Sequence, residues 1–115
     1  MRSDGAGDAR AVGEVLRDTL PRPWTHEARA GGLAIGTEED FLNPRTSWVY
    51  VHFGRSSRWV YLIQPLCEWA LKNGFRDLLY PEPQVRWAGY GWQQRAAEQV
   101  AELVDAYVAS QESDQ

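Results

Sequence analysis

A single cysteine, Cys67, among 115 residues rules out an internal disulfide and a metal site built from thiolates alone. That usage fits a reducing compartment. The chain also has no run of about 18 apolar residues, the length a membrane span needs, and its N-terminus lacks the basic, then apolar, then small-residue order of a secretory signal. The expected location is therefore cytoplasmic. Lysine is nearly missing too, since eleven of the twelve basic side chains are arginine. A GC-rich genome produces that bias as readily as selection for guanidinium chemistry does.

Catalytic spacings are missing as well. There is no HxxxH or CxxC ligand pair, no GxSxG turn, no glycine-rich phosphate loop and no repeat of solenoid length. The groups left for catalysis or metal binding are His26, His52, Cys67 and the triplet Glu38-Glu39-Asp40. A strand histidine usually packs or hydrogen-bonds, a cysteine within "PLCEWAL" fits a small core position, and the triplet fits a solvated loop. The expectation is a protein without catalytic residues, cofactor or metal. The enzymatic alternative pairs His52 with a carboxylate such as Glu27 or Glu68.

What is present describes one globular domain. The apolar fraction is 43% and the charged fraction 24%, and the length suits a single core. Residues 1–8 and 111–115 carry no apolar periodicity and are expected to be flexible around an α+β domain at 9–110. The net charge of −4 is unevenly spread: residues 1–44 hold 5 basic and 8 acidic groups, 45–95 hold 7 and 3, and 96–115 hold 0 and 5. A basic middle lies between acidic ends.

Helical spacing of Val12, Val15, Leu16 and Leu20 gives a first amphipathic helix, with Asp8 as its N-cap and Pro21 and Pro23 ending it. Trp24–Gly36 alternates loosely and suggests a strand interrupted by a bulge or tight turn at Gly31-Gly32. "TEEDFLNPRT" then reads as a loop with a turn at Asn43-Pro44. The stretch "SWVYVHFGRSSRWVYLIQ" folds on paper as a hairpin closed by Gly54, Arg55, Ser56 and Ser57. It sets Phe53 opposite Arg58, His52 opposite Trp59, Val51 opposite Val60, Tyr50 opposite Tyr61, Val49 opposite Leu62 and Trp48 opposite Ile63. Alternation then makes one face aliphatic and the other aromatic. A short helix over "QPLCEWALKNG", with Pro65 in its first turn and Asn73-Gly74 as a left-handed stop, precedes strands at 75–80 and 84–90. A final helix spans Trp92 to Ser110, with Ala97, Val100, Ala101, Val104, Tyr107 and Val108 on one stripe. The fold class is α+β, a single antiparallel sheet with helices packed against it, in the order α-β-β-β-α-β-β-α.

The aromatic face is the candidate site. Trp48, Tyr50, His52, Trp59 and Tyr61, with Arg55 and Arg58 at the rim, are of the types enriched at the centres of protein interfaces. The same platform, with Arg86 added, would also stack bases and contact phosphates, so a nucleic-acid-binding regulator is the alternative. Against that stand the acidic net charge and the lack of the glycine-aromatic signature of sheet-type RNA binders.

The element order, the size and the acidity resemble the type III secretion chaperones and the chaperone-like domains that share their fold, over roughly residues 9 to 110. The resemblance implies a small non-enzymatic protein that forms a homodimer and holds a partner polypeptide along its surface. It carries no diagnostic motif and transfers no residue. The expected function is protein binding, as a chaperone-like adaptor or as an inhibitor of a partner, without membrane association.

Overall fold

The computed structural model describes residues 6–29, 31–42, 48–53, 58–62, 66–75, 78 and 90–113. The chain is an α+β fold, one antiparallel sheet with helices packed against it. Helix α1 spans Ala6–Thr19, strands β1 and β2 span Thr25–Arg29 and Gly32–Gly36, and a short helix α2 spans Glu38–Leu42. Strands β3 and β4 follow at Val49–Phe53 and Arg58–Leu62, then α3 at Leu66–Lys72 and α4 at Trp92–Ser113. The sheet order is β1-β2-β3-β4.

The β3–β4 register is the one alternation dictates, pairing Val49 with Leu62, Tyr50 with Tyr61, Val51 with Val60, His52 with Trp59 and Phe53 with Arg58. The proposed loop at 54–57, the partner Ile63 of Trp48, the turn at Asn43-Pro44 and Pro65 lie outside the described residues. Val49, Val51, Val60 and, across from them, Leu33 and Ile35 are buried with Val12 and Leu16 of α1 and with Ala97, Val100 and Val104 of α4. Burying these side chains is the main favourable term, about 1.5–3 kcal/mol each relative to exposure. The aliphatic face of the sheet is therefore the core.

Four expectations are corrected. Trp24–Gly36 is not one interrupted strand but the hairpin β1–β2, in which Arg29 pairs with Gly32. Gly31, at φ 80°, supplies the left-handed backbone that so tight a reversal requires. The segment expected as a loop contains α2, whose Phe41 amide bonds to the Thr37 carbonyl at 3.1 Å. Asp8 does not cap α1, which begins at Ala6. It lies in the first turn, where a carboxylate favours the positive helix end, and accepts a 3.1 Å hydrogen bond from Gln93 Nε2 at the start of α4. The order among described residues is thus α-β-β-α-β-β-α-α and not the α-β-β-β-α-β-β-α on which the chaperone resemblance was drawn.

The strand expected at 84–90 lies outside the described residues apart from Tyr90, which sits in a turn. Of the strand expected at 75–80, only Phe75 and Leu78 are described, and the Leu78 amide donates to the Phe75 carbonyl at 3.1 Å. Helix α3 ends as its sequence demands. Gly74 has φ 92°, and the Phe75 amide reaches the Ala70 carbonyl at 3.1 Å, the backbone closure that satisfies a helix C-terminus.

Much of the aromatic content belongs to the helical layer. Trp92 is buried against Phe53 with ring centroids 5.8 Å apart, while Trp69 meets Tyr107 at 5.4 Å and Phe75 at 5.9 Å, and Trp24 meets Tyr107 at 6.4 Å. Edge and offset geometries of this kind add about 0.5–1.5 kcal/mol per pair beyond the area buried. Trp92 is thereby part of the core, and Trp24 and Trp69 pack against it.

Helix α1 crosses β1 at Gly13, where a Cβ would stand 2.8 Å from His26 Cε1. Glycine in a helix interior costs about 1 kcal/mol relative to alanine, and here it makes room for the imidazole. Gly13→Ala is therefore expected to destabilise the native protein, yet to stabilise the His26→Ala variant by about 1 kcal/mol. Urea unfolding of the four proteins of this cycle measures the coupling, and additive effects would disprove the contact.

Candidate functional site

Side chains alternate along each strand, so the residues that interleave with the core positions turn to the other side of the sheet. On β1 these are Thr25, Glu27 and Arg29; on β2, Gly32, Ala34 and Gly36; on β3, Tyr50 and His52. Strand β2 thus offers only a hydrogen or a methyl group along the middle of this outer face. That leaves space for the larger neighbours to lie down, and Ala34 is fully buried as a result.

Tyr50 uses that space. Its Cζ would stand 3.1 Å from a Cβ on Gly32, and its Oη 3.2 Å from one on Gly31, so the ring lies over the Gly31-Gly32 backbone. Burial raises the Tyr50 pKa above the ordinary tyrosine value, which keeps the phenol protonated and able to donate. His52 is half-buried beside it, with ring centroids 6.4 Å apart.

A second cluster forms on the same face around Arg29, whose strand position is opposite Gly32. Its guanidinium carbon lies 5.3 Å from the centre of the Phe41 ring and 5.1 Å from that of Trp48, while those two rings meet edge to face at 6.1 Å. Both distances are within cation–π range. Arg29 Nε also lies 3.2 Å from Glu27 Oε1, and the two side chains keep 38% and 47% of their exposure. Trp48 Nε1 is buried without a hydrogen-bond partner, and Leu42, at the end of α2, is 83% exposed.

Of the residues expected at the site, Trp48, Tyr50 and His52 lie on this half-buried surface. The backbones of Trp59 and Tyr61 pair with His52 and Tyr50. Arg58 pairs with Phe53 at the loop end of the β3–β4 hairpin. Arg55 and Arg86 lie outside the described residues. Arg29 and Phe41 were not expected. Reading β1 and β2 as one strand concealed the Thr25, Glu27, Arg29 row, and reading 38–42 as loop concealed the helix that carries Phe41.

The residues considered for catalysis are dispersed. His26 pairs with Ile35 and turns toward α1, on the side of the sheet opposite His52. Burial lowers its pKa, the polar Gly13 backbone opposes that shift, and the Arg17 charge adds to the lowering, so the ring favours the neutral form. Glu27 is engaged by Arg29 and is separated from His52 by β2, two strand spacings or about 10 Å. Glu68 is exposed on α3, and Cys67 is a half-buried free thiol. Among the described residues no group of three metal-ligating side chains occurs, and no helix is long and apolar enough to cross a membrane.

No protein-family model, curated protein or solved structure matches this chain.

Proposed function

We propose that this chain is a small non-enzymatic protein-binding domain, an adaptor of the chaperone-like kind or an inhibitor, that meets its partner with the outer face of the sheet. One observation carries the reading: neighbouring residues of β3 are divided, Val49 and Val51 being fully buried while Tyr50 and His52 remain half-exposed. Aromatic rings held flat over a glycine backbone, with a stacked arginine beside them, supply rigid contact area at low entropic cost. The partner would cover Tyr50, His52, Trp48 and Arg29, and a backbone carbonyl from it would take the unpaired Trp48 Nε1 proton.

The charge on this face favours a protein over a nucleic acid. On β1, β2 and β3 the charged side chains of this face are Glu27 and Arg29, which cancel, whereas phosphate binding needs several uncompensated cations. A photoreactive residue at His52, expressed in the source cell, is expected to form one discrete adduct that the same residue at Glu98, exposed on α4, does not form. An adduct at twice the 13.1 kDa chain mass identifies a second copy of the chain as the occupant. Adducts alike from both positions, or from neither, contradict the proposal.

A further inference from the structure

Neither the core nor the outer face accounts for a cleft of about 590 Å³ between α1 and the β1–β2 hairpin. Its volume lies within the range of small-molecule sites. Gly13, Ala28 and Leu33 line its floor together with His26, and Arg10 and Arg17 flank it from α1. The two arginines are seven residues apart, two helical turns or about 10.5 Å along one side of α1. Gly13 falls between them, where the helix passes close over the His26 ring.

Charge narrows the ligand. Glu27 and Arg29, at the rim, are paired with each other at 3.2 Å. Arg10 and Arg17 are exposed and form no ion pair among the described residues, and Glu14, also on the wall, offsets one of them. One positive charge is left over above a mostly apolar floor. That balance suits a monoanion better than a phosphate dianion, and the planar guanidinium fork matches a carboxylate in particular.

We infer that this cleft is a binding site for a small monocarboxylate with an apolar body, its carboxylate held by Arg10 and Arg17 and its tail laid along Gly13, Ala28 and Leu33. The floor lies on the α1 side of β1, to which His26 and Ala28 turn, and the cleft meets the outer face only at its rim, where Glu27, Arg29 and the Gly31-Gly32 turn border it; Tyr50 and His52 do not line it.

The test is a titration of the isotope-labelled full chain with octanoate, followed by amide chemical shifts, with octanol as the uncharged control. Saturable shifts confined to residues 9–17 and 25–33, at a dissociation constant of about 1 mM or tighter and at least about tenfold tighter than for octanol, are expected. Arg10→Gln and Arg17→Gln, both at exposed helix positions, are each expected to weaken octanoate about tenfold with little effect on octanol. No saturation, equal binding of octanol, shifts centred on Tyr50 and His52, or unchanged affinity in both arginine variants would each overturn the assignment.

Discussion

Gly32→Ala is expected to cost about 3 kcal/mol or more, enough to leave much of the chain unfolded if its stability is at the low end of the usual 5–15 kcal/mol. The reason is backbone against backbone. A Cβ at residue 32 would stand 1.9 Å from the Val51 carbonyl oxygen and 2.9 Å from its carbon, far inside van der Waals contact, and no side-chain rotation relieves it. The chain must move β2 away from β3, which also pulls on the 2.7 Å bond from the Phe53 amide to the Gly31 carbonyl. Gly31→Ala next door is the control. It meets a positive φ of 80° but only the Tyr50 hydroxyl at 3.2 Å, so it is expected to cost about 1–2 kcal/mol. Urea midpoints of the two variants measured together decide the matter, and an equal or inverted ranking would show that the β2–β3 contact is misplaced.

Ile35→Ala carries the second large expected effect, a loss of about 3–4 kcal/mol. Ile35 is fully buried, sits on the central strand β2, and is paired with His26 on one side and Val49 on the other. Rigid strands flank it, so the cavity left by truncation cannot collapse, and cavity cost then adds to lost transfer energy. Thermal unfolding with calorimetry gives the value. A loss below about 1 kcal/mol would mean that the aliphatic face is not the main core.

The two glycine positions and the isoleucine also mark how far the sequence could be read. The β3–β4 register follows from the sequence because two apolar runs flank a short polar loop and only one alignment separates aliphatic from aromatic residues. That separation identifies Trp48, Tyr50 and His52 before any coordinates are known. The β1–β2 hairpin resists the same reasoning: Thr25–Arg29 is an exposed edge strand with one apolar residue, so its alternation is almost silent, and only Gly31-Gly32 signals the reversal. Helix α2 is silent for another reason. Five residues carry no periodicity, and what holds them is the long-range packing of Phe41 on Trp48 and Arg29. The Arg29 cluster was illegible because it joins three elements of which two had been misread. Asp8 misled locally, since it has the right chemistry for a cap and is used instead to bind Gln93.

The sheet divides into a core face and a contact face, and adjacent residues of β3 test that division most directly. Val51→Ala and Tyr50→Ala should be compared in urea unfolding and in adduct formation from the photoreactive residue at His52. The expected result is a loss of about 2 kcal/mol for Val51→Ala, against about 1 kcal/mol or less for Tyr50→Ala together with loss of the His52 adduct. A Tyr50→Ala variant that unfolds, or that folds and keeps the adduct undiminished, would contradict the account.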